Sequence, residues 1–369
     1  MIATEQPVRT LPRQTADLAR VMICDDSAVI RSAITRILES DPGITVLSRV
    51  ANGQLAIEAV ARIAVDVLVL DIEMPVLDGL SALPLLLRAD PGLRIIMAST
   101  LTLRGADIAM RALRLGGADY VPKPSAGAVT GDASFAAELV AKVKGLAKLR
   151  RRTADHSANS LAAMPPAVVA LRPPPARAPL LLAIGSSTGG PQALLTLVQS
   201  LGSTLPVPVV LTQHMPPMFT AMLAEHITRL GALPCAEARD GEMLEPGRIY
   251  LAPGDRHLLV TAAGQRLQAR LSDDAAENFC RPSVDPMLRT ASTACNGRVL
   301  VAMLTGMGQD GMAGTQGIVA AGGTAVAQDE ATSVVWGMPG AIARAGLCHA
   351  VLPLPQLGAK IRALLQTKP

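Results

Sequence analysis

Aromatic residues are scarce: three Phe, two Tyr and one Trp amount to 2% of the 369 residues. So few rings exclude the stacking platforms that hold single-stranded nucleic acids. No apolar run reaches the roughly 18 residues needed to cross a bilayer, so membrane insertion is not expected. The five cysteines (Cys24, Cys235, Cys280, Cys295, Cys348) are odd in number, widely spaced and without a CxxC pair. They exclude a disulfide framework and a cysteine zinc site, and they fit reduced thiols in a cytoplasm. Neither sign of charge dominates, with 34 Lys+Arg against 30 Asp+Glu, which argues against a nucleic-acid partner. The first residues carry Glu5, two prolines and two arginines without an apolar core, so they read as an extension and not as a signal peptide.

What is abundant is apolar material, half of the chain, enough for two buried cores. The composition shifts near Lys144, first to the basic cluster Lys148, Arg150, Arg151 and Arg152, then to Pro165, Pro166, Pro173, Pro174, Pro175 and Pro179. Such a stretch predicts an extended, semi-rigid linker without helix or central strand, while the basic cluster that opens it reads as the solvated end of the preceding helix rather than as a contact for an acidic partner. The expected organisation is an extension over 1–18, a first domain over 19–147, a proline-rich linker over 148–178 and a second domain over 179–369.

Both domains alternate strand and helix signals. Val21–Cys24, Ile44–Leu47, Val65–Leu70, Leu93–Met97 and Tyr120–Pro122 read as strands, with helical periodicity between them. Buried runs separated by helices predict a parallel sheet covered on both faces, here a flavodoxin-like (βα)5 domain. After the linker, Leu180–Ile184, Pro208–Thr212, Arg298–Leu304 and Thr324–Ala327 read as strands of a doubly wound, mostly parallel α/β domain. The stretch Glu237–Leu271 reads as hairpins and loops.

In open α/β sheets, ligands bind at the carboxyl ends of the strands. Asp25 and Asp26 end the first strand and Asp71 the third. Three carboxylates in one pocket call for a divalent cation, and all-oxygen ligands suit Mg²⁺. Ser99 ends the fourth strand and Lys123 follows the fifth. A cation, a hydroxyl and an ammonium around one carboxylate form a clamp for a transferring phosphoryl group. Taken singly, each acid reads more simply as a helix cap. Asp25-Asp26-Ser27, Asp71-Ile72-Glu73-Met74-Pro75 with Asp78-Gly79, Ser99, Tyr120 and Lys123-Pro124 together resemble the response-regulator receiver domain. That resemblance implies that Asp71 takes phosphate from a sensor histidine kinase while Asp25 and Asp26 help to hold Mg²⁺. It also implies that Ser99 and Tyr120 move inward together when this happens.

A second cluster opens the second domain. Gly185-x-Ser187-x-Gly189 fits the nucleophile-elbow spacing, in which glycines let the chain turn sharply and expose a serine hydroxyl. A phosphate loop is the rival, but G-x-G-x-x-G and G-K-[ST] are both missing. His214 ends the next strand on the same edge, placed to take the serine proton. Asp310, in the Gly-rich loop Thr305–Gly311, is the third candidate; alone it reads equally as a turn residue. The remaining histidines read as bystanders, His257 being the one of most interest. The order Ser, His, Asp differs from that of α/β-hydrolases.

Ser187-Thr188-Gly189-Gly190, Thr212-Gln213-His214-Met215-Pro216, Ala252-Pro253-Gly254-Asp255, Arg281-Pro282-Ser283-Val284-Asp285, Leu304-Thr305-Gly306-Met307-Gly308 and Gly337-Met338-Pro339 resemble the catalytic domain of chemotaxis protein-glutamate methylesterases. With the receiver in front, the architecture is similar to that of CheB-type response regulators. The resemblance implies Ser187 as nucleophile, His214 as general base and acid, Asp310 as its orienting partner and Met307 near the oxyanion. It implies hydrolysis of glutamate methyl esters on chemoreceptors, deamidation of receptor glutamines, and no cofactor at the esterase site. Ala275–Cys280 departs from the family's usual polar sequence. Two rivals from other classes are a receiver-controlled binder without catalysis and a receiver fused to a DNA-binding output. The complete Ser187, His214 and Asp310 set opposes the first, and the missing helix-turn-helix tail opposes the second.

Overall fold

The computed structural model describes residues 18–99, 102–123, 133–158 and 171–366. The first domain runs β1 (Ala19–Cys24), α1 (Ala28–Glu39), β2 (Ile44–Val50), α2 (Gly53–Val60), β3 (Val67–Asp71), α3 (Gly79–Ala89), β4 (Arg94–Ser99), α4 (Leu103–Arg114), β5 (Asp119–Pro122) and α5 (Ala133–Ala158). Helices α1 to α4 each begin at a capping side chain, respectively Ser27, Asn52, Asp78 and Thr102, whose oxygen accepts a first-turn N–H. The strands pair in parallel in the order β2-β1-β3-β4-β5. Because β1 and β3 are neighbours, Asp25, Asp26 and Asp71 come out at one edge.

The second domain runs β6 (Leu181–Ser186), α6 (Gly190–Leu201), β7 (Val209–Gln213), α7 (Phe219–Arg229), β8 (Cys235–Glu237), β9 (Ile249–Leu251), β10 (His257–Ala263), β11 (Arg266–Ser272), α8 (Val284–Ala294), β12 (Val299–Met303), α9 (Met312–Ala320), β13 (Thr324–Gln328), α10 (Met338–Arg344), β14 (Ala350–Leu352) and α11 (Leu354–Leu365). Seven of these strands form one sheet in the order β14-β13-β12-β6-β7-β9-β8, every pair parallel. The fully buried central strands, such as β6, β7 and β12, explain their unbroken apolar runs. Strands β10 and β11 form a separate antiparallel hairpin.

Both expected fold classes are present. Two local readings need correction. The stretch read as hairpins and loops also contains β9, and β8 ends at its first residue; both extend the main sheet in parallel, and three-residue strands carry too little periodicity to be seen in sequence. Helix α5 carries the basic cluster Lys148–Arg152, in keeping with its reading as a helix end, but runs on to Ala158, past residue 148 where the extended linker was expected to begin. The long basic side chains there favour helix, and they find carboxylates: Arg150 meets Asp90 at 2.8 Å and Lys148 meets Glu330 at 2.7 Å. The extension over 1–17 and the prolines Pro165 and Pro166 lie outside the described residues.

The two domains share packing. One apolar cluster runs from Met22, Ala106 and Met110 of the first domain to Phe219, Leu223 and Ile227 of the second. Gly145 on α5 lets the backbone of Val334 pass, since a Cβ there would lie 2.2 Å from the Val334 carbonyl oxygen. Glu330 bonds Lys148 and Arg152, both on α5.

Candidate active site and acidic pocket

Strands β12, β6 and β7 are neighbours, and the loop after each delivers one side chain of the second cluster. Ser187 follows β6, His214 follows β7 and Asp310 lies in the loop between β12 and α9. The Ser187 amide donates to the Thr305 carbonyl at 3.0 Å, and the His214 amide donates to Ser186 at 3.1 Å, so both loops are pinned to adjacent chain. Gln213 completes the scaffold: its Nε2 donates to the carbonyls of Ser187 and His214, each at 3.0 Å. Ser186 is fully buried and donates to Gln213 Oε1 at 2.7 Å, leaving half-buried Ser187 as the serine that faces the cleft. Gly189 makes this turn possible with φ 73°, a conformation costly for any residue with a Cβ.

His214 Nε2 lies 2.7 Å from Asp310 Oδ2. Asp310 is itself held by the start of α8: Val284 and Asp285 amides donate at 2.6 and 3.1 Å, Ser283 Oγ at 2.8 Å and Asn278 Nδ2 at 2.8 Å. Burial opposes ionisation of Asp310, yet its bond to the imidazole and these donors bring its pKa down to about 2. Burial likewise opposes a charged His214, but Asp310 and Cys280 outweigh it and raise the imidazole to about 9. A carboxylate held this way fixes the imidazole tautomer and favours its protonated form. Nδ1, the nitrogen left over, faces Cys280 Sγ at 3.4 Å. Among the described residues no hydrogen bond joins Ser187 Oγ to the imidazole. Met307 sits on the loop after β12 with its side chain exposed.

The first domain roofs this cleft. A small cavity of about 20 Å³ is lined by Asp119, Tyr120, Glu138 and Lys142 on one side and by Ser187, Thr188, Gln213 and His214 on the other. Asp119 Oδ2 accepts the Gly189 amide at 3.0 Å. Lys142 lies 3.5 Å from Asp119 and 2.8 Å from Glu138. The Tyr120 ring stacks on Phe219 with centroids 4.7 Å apart and planes 13° from parallel.

In the acidic pocket, one carboxylate oxygen from each of Asp25, Asp26 and Asp71 lies within 4.8 Å of the others. Lys123 Nζ is 2.7 Å from Asp71 and 2.9 Å from Asp25. Burial, with some help from Asp25 and against the pull of Lys123, pushes Asp71 up to about 6. Crowded, partly desolvated oxygens of this kind fit a hard divalent cation such as Mg²⁺. Ser99 is buried and donates to the Gly105 carbonyl at 2.8 Å. Ser27 caps α1, so the residue next to the acid pair has the plainer role.

Ser187, His214 and Asp310 are thus brought to one cleft, and Asp25, Asp26, Asp71 and Lys123 to one pocket, with Ser99 at the end of the neighbouring strand β4. Tyr120 lies at the domain contact. His257 is accounted for structurally: its Nδ1 accepts the Ser283 amide at 3.1 Å, and its Nε2 lies 3.1 Å from the Ala275 carbonyl. Asp119 and Asn278 escaped the sequence reading, and so did the bonding roles of Gln213 and Ser283. Gln213 and Ser283 stand inside the quoted motifs, which is the signal that was present; Asp119 offered none.

Residues 21–130 match the family described as response regulator receiver domain, and residues 182–361 match CheB methylesterase. A protein-glutamate methylesterase/protein-glutamine glutaminase from Rhodospirillum centenum is 52% identical over 98% of both chains. A protein of the same name from Azospirillum brasilense is 52% identical over 94% of this chain and 92% of its own. Among solved structures, the catalytic domain of Thermotoga maritima CheB methylesterase is 38% identical, with 51% of this chain and all of that chain covered at a TM-score of 0.49. No helix among the described residues is long and apolar enough to cross a membrane. With near-complete coverage at such identity, and with both family matches falling on the two domains just described, the chain belongs to the CheB family of receiver-linked protein-glutamate methylesterases.

Proposed function

We propose that the chain is a phosphorylation-activated serine esterase that removes methyl groups from glutamate methyl esters on chemoreceptors. The observation that carries this reading is the alignment of Ser187, His214 and Asp310 on three adjacent strand ends, with Asp310 bonded to His214. His214 takes the Ser187 proton as Oγ attacks the ester γ-carbonyl. The tetrahedral intermediate collapses, and the departing methoxide takes that proton from the imidazolium and leaves as methanol. Water, activated by the same imidazole, then hydrolyses the acyl-enzyme to free glutamate. The relatives' names pair methylesterase with glutaminase; on a glutamine side chain the same steps release ammonia. Met307 is assigned to the oxyanion side through its backbone.

The proposed control runs through the roof. With Asp119 on the Gly189 amide and Tyr120 against Phe219, the resting chain has its cleft covered. A sensor histidine kinase supplies phosphate to Asp71; Asp25 and Asp26, with Asp71, would hold Mg²⁺, which would supply charge neutralisation for the transferring group. Lys123 is already within reach of the Asp71 carboxylate. A phosphoryl group there favours a receiver surface, read through Ser99 and Tyr120, that releases the second domain. Methanol release from membranes carrying methylated receptors tests the whole reading. The wild-type chain turns over faster with a small phosphodonor, Asp71→Asn keeps only the basal rate, and Ser187→Ala loses on the order of 10⁶ in kcat. Normal turnover by Ser187→Ala refutes the assignment of the nucleophile.

A further inference from the structure

Among the large apolar side chains of the described residues, Phe279 alone stands entirely in solvent, with a relative exposure of 104%. A single exposed apolar residue is ordinary on most surfaces. Here it is not, because the chain has only three Phe, and Phe219 and Phe135 are buried. Its backbone is more telling. Glu277 and Cys280 exchange both backbone hydrogen bonds, at 3.1 and 3.0 Å, closing a two-residue turn around Asn278 and Phe279. Both central residues have positive φ, 53° and 62°. That is the tight turn whose second position ordinarily takes glycine, because a side chain there strains the backbone. A bulky aromatic therefore occupies a glycine position and gains no packing from it.

The turn is anchored on the candidate active site. Asn278 bonds Asp310 at 2.8 Å and Asp285 at 3.0 Å, and Cys280 faces His214 Nδ1. Arg289 grips Glu277 through both carboxylate oxygens. Phe279 is thus held out from the rim of the cleft by neighbours that touch the imidazole and its carboxylate. Backbone strain kept at such a place points to function. A glutamate ester on a protein reaches Ser187 only if the segment bearing it crosses that rim.

We propose that Phe279 is a substrate-docking residue, whose ring packs against the apolar side of the helical receptor segment that presents the esterified side chain. This rests on the receptor-esterase reading above. Since the ring is exposed with the roof in place, docking does not require the cleft to open.

The test compares Phe279→Gly and Phe279→Leu in the full chain, with phosphodonor, on membranes carrying a methylated receptor. Glycine suits the turn better than phenylalanine, so Phe279→Gly melts at the same temperature as the wild type or higher. Its KM nevertheless rises at least tenfold, about 1.4 kcal/mol, while kcat stays within about twofold. Phe279→Leu recovers most of the lost affinity. A second readout needs no turnover: in the Ser187→Ala background, Phe279→Gly weakens sedimentation with the same membranes at least tenfold. An unchanged KM and unchanged sedimentation overturn the proposal, as does a fall in kcat alone, which would make the turn a support for His214. If wild type fails to release methanol and Ser187→Ala fails to sediment, the receptor reading falls and takes the proposal with it.

Discussion

Asp119→Asn tests the roof at its most specific contact. The wild-type carboxylate uses both oxygens in the closed form: Oδ2 accepts the Gly189 amide at 3.0 Å, and Oδ1 accepts the Tyr120 amide at 2.8 Å with Lys142 at 3.5 Å. Burial pushes the Asp119 carboxyl up, and Lys142 counteracts that push. An amide of the same size has one oxygen to offer. Its NH₂ must point either at the Gly189 N–H or toward the Lys142 ammonium, donor against donor in both cases. The closed form therefore loses a hydrogen bond to a charged group, typically about 1.5–3 kcal/mol, while in the open form water satisfies Gly189. At 1.4 kcal/mol per factor of ten, the open fraction rises roughly ten- to a hundredfold, provided the wild type is mostly closed. The assay is initial methanol release from methylated receptor membranes without phosphodonor, with thermal melting as the fold control. A variant that melts normally and turns over within twofold of wild type refutes the argument that this contact holds the cleft shut.

Two further outcomes follow from the geometry. Ser186→Ala removes the bond to Gln213 and lowers stability by about 1 kcal/mol in denaturant titration, but it keeps most of the turnover that Ser187→Ala abolishes. As the proposed base, His214 would act as neutral imidazole; with burial outweighed by Asp310 and Cys280 and its pKa raised to about 9, kcat/KM should climb with pH until that region, and Cys280→Ala, which removes one of the raising partners, should end the climb at lower pH in a pH–rate profile.

Much of this was legible in the chain itself, and the reasons are physical. Central parallel strands such as Val209–Gln213 are buried on both faces, so they show as apolar runs, and the site residues follow them directly in sequence. Ser187 and His214 were readable because a strand end fixes position whatever lies elsewhere. Asp310 was a candidate from its loop after a strand, but on its own it read equally as a turn residue, and the resemblance tipped the choice. The short β8 and β9 were missed for want of length, and the end of α5 was set too early because the small and polar residues after its basic run carry no helical periodicity. The donors around Asp310 were hidden for another reason: Asn278 and Ser283 are 32 and 27 residues away, and only the folded chain joins them.

Asp119 was the least visible and is the most informative of these. It lies one residue before Tyr120, in a strand, with no motif to mark it. Its partner, the Gly189 amide, stands at the start of α6, where unpaired N–H groups and the helix dipole favour negative charge. On the proposed mechanism, acyl transfer at Ser187 would develop negative charge on an oxygen close to that same helix start. A carboxylate from the first domain already sits there, next to Ser187, with Lys142 and Glu138 closing the wall behind it. The internal anion and a developing oxyanion would compete for one patch of positive potential. On this view the roof does more than block access: while Asp119 is seated, the electrostatic support for the transition state is already taken. Release of the receiver then restores substrate entry and that support in one movement. It follows that the resting chain should be poor even toward esters small enough to slip past the roof.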